Sequence, residues 1–306
     1  MRIAVMGAGG VGGYFGAKLA AGGHDVAFVA RGRHLDAMRE RGLVVKSATG
    51  DVHLARPAVV ADPAELPPAD VVLFAVKLWD TEDAAALLRP VVARGAVIVP
   101  FQNGVESIDR VAAVVGAEHV MGGVAYIAGT IVEPGVVGHT GTMARLRFGA
   151  VRPAQQPVAD ALAAACQGAG IDGVAVPDIV RTIWEKFVFL AAFSGLTSVA
   201  RRPIGVLRDD PDIRPVFEAA MREVWAVGRA RGIALADDFI AQQMKFAAGL
   251  PAEMASSMQN DLAAGNRLEA PWLCGAVARM AKEAGQQAPV NATLYAALKP
   301  HLAGRG

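Results

Sequence analysis

The six residues GAGGVG at positions 7–12 constrain this chain more than any other stretch. They follow the apolar run RIAVM and open GGYFGAKLAA, and glycines at 7, 9 and 12 fit G-x-G-x-x-G. A lone match to that pattern is weak evidence; a match set between a strand and a helix carries far more. There the first glycine permits a tight turn and the third lets helix and strand pack closely. The second lets the backbone approach a pyrophosphate, which rests on the helix N-terminus where free N–H groups and the dipole favour anions. Gly7, Gly9, Gly10, Val11 and Gly12 are therefore candidate cofactor-binding residues, against the plainer reading of a small-residue loop that holds nothing.

The second strand, HDVAFVAR, discriminates between dinucleotides. A fold that prefers NAD places Asp or Glu about 20 residues beyond the glycines, to bond the ribose 2′-hydroxyl. Here FVARGRH supplies Arg31 and Arg33, and the next carboxylate, Asp36, already lies in the following helix. An acid would repel a 2′-phosphate, whereas arginine grips it with paired, charge-assisted hydrogen bonds. The sequence therefore predicts NADP(H) as the cofactor, with Arg31 the main contact; the alternative is a pair of solvated arginines.

Apolar runs at 2–7, 24–31, 69–77 and 96–104 predict strands, with helices at 12–23 and 81–93 and another strand segment at 52–60. ADVVLFAVK reads as a strand buried on both faces. This alternation predicts βαβ units and a parallel sheet with right-handed crossovers. From 120 to 141 Gly, Thr and Val alternate with turn signals, which predicts antiparallel extension of that sheet, followed by a strand at 144–151 and a helix at 157–170. Beyond Val180 nearly everything has helical periodicity: 180–198, 212–231, 235–248, 251–264, 266–284 and 291–299. The predicted fold class is α/β, with an N-terminal Rossmann-type dinucleotide-binding domain over 1–176 and a C-terminal all-helical domain over 177–306. Two domains suit 306 residues at roughly 150 residues each. The closing HLAGRG is expected to fray.

Composition excludes several classes. A net charge of +1 argues against a nucleic-acid partner. Cys166 and Cys274 have no C-x-x-C partner, and the six histidines form no H-x-x-x-H, so neither a metal site nor a disulfide framework is expected. No leader pattern opens the chain, and no run of about 18 apolar residues is free of Gly, Pro and charge. The expectation is a reduced, cytoplasmic protein without a membrane partner.

Ligands of open α/β sheets bind outside the carboxyl ends of the strands. Lys77 follows one buried strand, and Gln102, Asn103 and Gly104 follow the next. Lys77 and Asn103 are thus candidates for the same rim as the glycine turn, although a surface lysine is ordinarily only solvated. In TIWEKFVFLAAFSGLTSVARRP, Lys186, Leu190 and Ser194 share a helix face at i, i+4 and i+8. Glu185 could make that lysine part of a solvent-facing polar edge. In ASSMQNDLAAGNRLEAPWL, a helix cap accounts for Ser256 or Ser257 with Asp261. It does not account for Glu269, which precedes an apolar run. Trp184, Trp225 and Trp272 could cover a partner, leaving a homodimer open, but core is the better reading of each.

In order and at this spacing, GAGGVGGYFGAKLA, ARGRH, VKLWDT, FQNGV, WEKF and SSMQNDLAAGNRLE make the whole chain resemble ketopantoate reductase (2-dehydropantoate 2-reductase). The resemblance implies NADPH-dependent reduction of 2-dehydropantoate to pantoate in pantothenate synthesis. It implies that the glycines and Arg31 hold NADPH, that Lys77 and Asn103 contact cofactor and substrate, and that Lys186 is the catalytic lysine. It also implies that Ser257 and Glu269 hold substrate hydroxyl and carboxyl groups. The chain departs from the family where asparagines commonly stand one and two turns beyond the lysine: here they are Leu190 and Ser194. Leucine cannot make amide contacts, so either another residue supplies them or the substrate is a different small 2-oxo acid. Catalysis is thus expected from Lys186 and Glu269, and substrate binding from Asn103, Lys186, Ser194, Ser257 and Glu269.

In the reaction so implied, hydride reaches a C2 carbonyl and an ammonium stabilises the charge developing on oxygen and donates a proton, with no metal. Burial beside a cationic neighbour is expected to lower the pKa of Lys186, and the site is expected in a cleft between the domains. An NADP(H)-sensing module without catalysis is the remaining alternative.

Overall fold

A computed structural model describes residues 1–305. They form two compact units: Met1–Gln102 with Glu106–Ile179, and Asn103–Val105 with the chain from Val180 onward. The division falls after Ile179 rather than at 176–177. The three-residue loop at 103–105 counts with the helices because Val105 packs on their core.

The first unit runs β1 (Arg2–Met6), α1 (Gly10–Ala21), β2 (Asp25–Val29), α2 (Gly32–Arg41), β3 (Leu43–Ser47), β4 (Val52–Leu54), β5 (Ala58–Val60) and β6 (Val71–Phe74). It continues with α3 (Thr81–Leu87), α4 (Arg89–Val92), β7 (Val97–Pro100), α5 (Ser107–Val115), β8 (Gly122–Glu133), β9 (Val136–Gly149), α6 (Gln156–Gly168) and β10 (Asp172–Ala175). One sheet has the order β5-β2-β1-β6-β7, parallel throughout. Every residue of β6 and β7 is buried, as β-branched strands covered on both faces should be. Chain order reverses between β1 and β6, the switch point at which such sheets bind ligands.

Three local expectations are corrected. The segment 52–60 is two strands in different sheets, β4 and β5, separated at Pro57, which has no N–H to give a ladder. The helix at 81–93 breaks at Leu88, just before Pro90. Apart from a single parallel bridge from Val120 to Ile98 on β7, the region 120–151 does not extend the parallel sheet. β8 and β9 form a long antiparallel hairpin in a second sheet of order β10-β9-β3-β4, with β8 on β9. β3, which no sequence signal marked, pairs in parallel with β9. Alternation identifies strands but does not choose their partners.

The second unit comprises α7 (Ile179–Ala200), α8 (Ile204–Asp209), α9 (Ile213–Ala230), α10 (Phe239–Ala248), α11 (Ser257–Ala264), α12 (Cys274–Glu283) and α13 (Pro289–Leu298). α7 is long and apolar enough to cross a membrane, yet 67% of its most apolar window is buried within the protein. Trp184, Phe187, Val188, Ala191 and Ala192 carry the core contacts of this helix. α11 starts only at Ser257, because Ser256 is the cap and accepts the Gln259 N–H at 3.0 Å. α12 starts late because Pro271 sits in a 3₁₀ turn, Ala270–Trp272. The tail is not frayed as far as Arg305: Leu268 N–H donates to the Leu302 carbonyl at 3.0 Å, and Arg305 N–H to that of Gly265 at 2.8 Å. Gly306, the last residue of that tail, lies outside the described residues.

The start of α13 is capped from another helix. Glu223 on α9 accepts N–H bonds from Val290 and Asn291, both at 2.8 Å, and the Asn291 amide at 2.7 Å. Pro289 occupies the first turn, so the carboxylate satisfies the N–H groups that remain there. Glu223→Ala is expected to lower stability by about 2–3 kcal/mol through stranded donors and a lost charge–dipole contact. The midpoint of denaturant unfolding checks this, and an unchanged midpoint would refute the cap.

Candidate active site

In the first unit the three glycines of the turn are required for three different reasons. Gly7 has φ of +99°, and a Cβ there would lie 3.0 Å from the Ala75 carbonyl oxygen at the end of β6. A Cβ on Gly12 would collide with the Gly7 carbonyl and the Val5 side chain, so α1 could not settle on β1. Around Gly9, apart from its own chain neighbours, no atom of the described residues lies within 4 Å of where a Cβ would be. Packing among the described residues therefore does not explain Gly9: none of them fills the space beside it, at the N-cap of α1. An open position where helix N–H groups emerge is what a pyrophosphate needs. Gly10 is constrained again by packing, since a Cβ there would strike the backbone of Gly129 on β8. Val11 is partly buried on the first turn of α1.

Arg31 stands at the carboxyl end of β2 as the N-cap of α2. Its side chain is 76% exposed, and it donates to Asp80 Oδ2 at 2.8 Å. Sequence reasoning missed this Asp80 partner, 49 positions away. Lys77, after β6, is exposed, with its ammonium 5.6 Å from the Trp79 ring centroid. Gln102 is turned inward, donating to the Val76 carbonyl at 3.0 Å and to Thr81 Oγ1 at 2.9 Å. It ties the end of β7 to the β6–α3 connection.

In the second unit three predicted residues come together. Lys186 Nζ donates to Asn103 Oδ1 at 2.9 Å. Lysine has only donors, so the amide oxygen must face it, and the Asn103 NH₂ group points away, able to donate elsewhere. Gly104, with φ of +87°, lets this loop pass close to the Trp272 carbonyl, which a Cβ would approach to 3.1 Å. Burial pushes the Lys186 ammonium down to about 8, while the negative charge of Glu269 pulls it back up. The anticipated cationic neighbour is not the cause: desolvation is, and the charged neighbour is an anion. Glu269 itself is only 9% exposed, at the N-cap of the 3₁₀ turn. Glu185, the next residue back, accepts from Arg181 Nε at 2.8 Å, whereas Lys186 donates to Asn103.

The remaining predicted residues are more dispersed. Leu190 is partly buried against the helical core, and Ser194 is 1% exposed with a hydroxyl that makes no hydrogen bond among the described residues. The face that begins at Lys186 therefore runs inward along α7. Ser257 is exposed on the first turn of α11. The buried serine of that pair is Ser256, whose hydroxyl lies 2.8 Å from Thr197 Oγ1.

The ketopantoate reductase (PanE/ApbA) family model matches residues 3–153, and the C-terminal model of the same family matches residues 178–301. The chain belongs to the ketopantoate reductase family. It is an oxidoreductase of that family, built on the Rossmann-plus-helical fold expected from its sequence. A 2-dehydropantoate 2-reductase of Halobacterium salinarum is 32% identical, over 96% of each chain. The uncharacterized oxidoreductase YkpB of Bacillus subtilis is 29% identical over 99% of both. The crystal structure of 2-dehydropantoate 2-reductase from Geobacter metallireducens superposes with a TM-score of 0.90 at 32% identity, covering 98% of this chain and 99% of that one.

Proposed function

We propose that this ketopantoate reductase family member reduces 2-dehydropantoate to pantoate with NADPH, as a cytoplasmic step of pantothenate synthesis. The observation that carries the reading is Lys186: an ammonium with a pKa near 8, held by Asn103 and facing the charge of Glu269. A general acid works best when its pKa lies close to the operating pH.

The glycine turn and Arg31 would hold NADPH, and the cofactor, when bound, supplies hydride to the C2 carbonyl. Lys186 stabilises the negative charge that develops on the carbonyl oxygen and gives that oxygen its proton, becoming a neutral amine that solvent reprotonates. Asn103 fixes the direction of the ammonium. Glu269 accepts a hydrogen bond from a substrate hydroxyl, and its charge keeps Lys186 protonated to a higher pH.

Reduction requires the charged ammonium. Its rate is therefore expected to be full below about pH 8 and to fall as pH rises through about 8. Oxidation of pantoate requires the neutral amine and should show the opposite limb. Profiles of kcat measured in both directions check the sign, and parallel limbs would rule out Lys186 as the acid.

A second reading, supported by Leu190 and Ser194, is reduction of a different small 2-oxo acid. Leu190 presents only hydrocarbon where the family commonly has an amide, which suits a less polar substrate. A spectrophotometric panel of 2-dehydropantoate against simpler branched 2-oxo acids, run with NADPH and with NADH, separates the two readings. Arg31→Ala should cost NADPH about tenfold or more in KM and leave NADH nearly unaffected, since a hydrogen-bonded ion pair to phosphate contributes about 1.5–3 kcal/mol.

A further inference from the structure

His34, three residues beyond Arg31, the predicted 2′-phosphate contact, has no part in the chemistry described so far. Its ring bridges two backbone segments of the first unit. Nε2 lies 2.9 Å from the Ala8 carbonyl oxygen, inside the glycine turn. On the other side, the Gly135 N–H donates to Nδ1 at 3.0 Å, in the turn between β8 and β9. These two contacts fix the tautomer. Nδ1 must be the acceptor, so Nε2 carries the hydrogen and donates it to Ala8. Burial lowers the ring's pKa from its usual value, in keeping with a neutral imidazole.

The Ala8 carbonyl belongs to the peptide that carries the Gly9 N–H. In a trans peptide these two groups point in opposite directions. Drawing the Ala8 carbonyl onto His34 therefore turns the Gly9 N–H away from His34. Gly9 is the glycine with open space beside it, at the N-cap of α1. A turn rich in glycine has many competing conformations, and ordering it on binding costs affinity. A side chain that holds one peptide plane in advance removes part of that cost.

We propose that His34 is a positioning residue for the phosphate-binding turn: its Nε2–H holds the Ala8–Gly9 peptide in the orientation that presents the Gly9 N–H to the cofactor's pyrophosphate. This rests on the reading that the glycine turn binds NADPH. The Gly135 contact has the subordinate role of holding the ring in the right tautomer.

Glutamine and asparagine substitutions separate the two ends of the ring. In His34→Gln the side-chain amide nitrogen reaches the place of Nε2 and can still donate to Ala8. In His34→Asn the amide oxygen stands near Nδ1, keeping an acceptor for Gly135 but giving nothing to Ala8. The dissociation constant of NADPH, read by fluorescence, and the thermal midpoint are measured for both variants, for His34→Ala and for the unaltered chain. The expected result is weakening of NADPH by about tenfold in His34→Asn and His34→Ala, and rescue by His34→Gln to within about threefold, the scale of one hydrogen bond. The proposal is overturned if asparagine binds as tightly as histidine. It is equally overturned if all three variants lose affinity and thermal midpoint in parallel, the mark of a merely structural ring. If the unaltered chain binds neither NADPH nor NADH, the functional reading falls together with this one; the wrong order among variants with normal wild-type binding removes only this one.

Discussion

Lys186→Ala is expected to lower kcat by about 10²–10⁴-fold, the range of one general acid, while NADPH still binds. The side chain sits on α7 with its ammonium against Asn103 Oδ1, and burial holds its pKa near 8. On the proposed mechanism, alanine would remove both the charge that stabilises the developing oxyanion and the proton that quenches it. Lys186→Arg separates these two contributions, because a guanidinium keeps the charge but does not release its proton in this pH range. The arginine variant should therefore recover only part of the loss. Steady-state turnover with saturating NADPH, together with NADPH binding by fluorescence, checks both variants. A near-normal kcat in Lys186→Ala would sink the assignment.

The second large effect belongs to Glu269. With this residue 9% exposed, a substrate hydroxyl that bonds to it does so in a largely dry site. Loss of a charged hydrogen-bond partner there costs about 1.5–3 kcal/mol, or about 10–100-fold in kcat/KM. Glu269→Gln should impose that loss on 2-dehydropantoate and much less on an analogue without the 4-hydroxyl, because polar sites discriminate strongly against a missing hydroxyl. The same variant tests the electrostatics. Since Glu269 raises the pKa of Lys186, removing its charge should move the falling limb of the reduction profile to below about 8. Equal losses for the two substrates would remove the hydroxyl role, and an unmoved limb would remove the coupling to Lys186.

What could be read from the chain follows the range of the forces involved. The strand–turn–helix at the N-terminus is local: the glycines, the apolar run before them and the helix after them all lie within about twenty positions, so their pattern survives in one dimension. The helical texture after Val180 is local for the same reason. Pairing of strands is not. Nothing near Leu43–Ser47 signals that β3 lies beside β9, about ninety residues on, because any alternating segment fits any sheet of the right register. Nor could position alone distinguish Ser256 from Ser257: one is the buried cap bonded to Thr197, the other an exposed first-turn residue.

The sequence by itself determined the fold class, the glycine turn and the identities of the residues with chemistry to offer, since each depends on composition and spacing within a short window. Tertiary structure alone decided which of them meet. It joined Lys186 to Asn103 across 83 positions, paired Arg31 with Asp80, and bridged Ala8 and Gly135 through His34. It also set the working pKa of Lys186, because desolvation and the field of Glu269 exist only once the chain has excluded water around the ammonium.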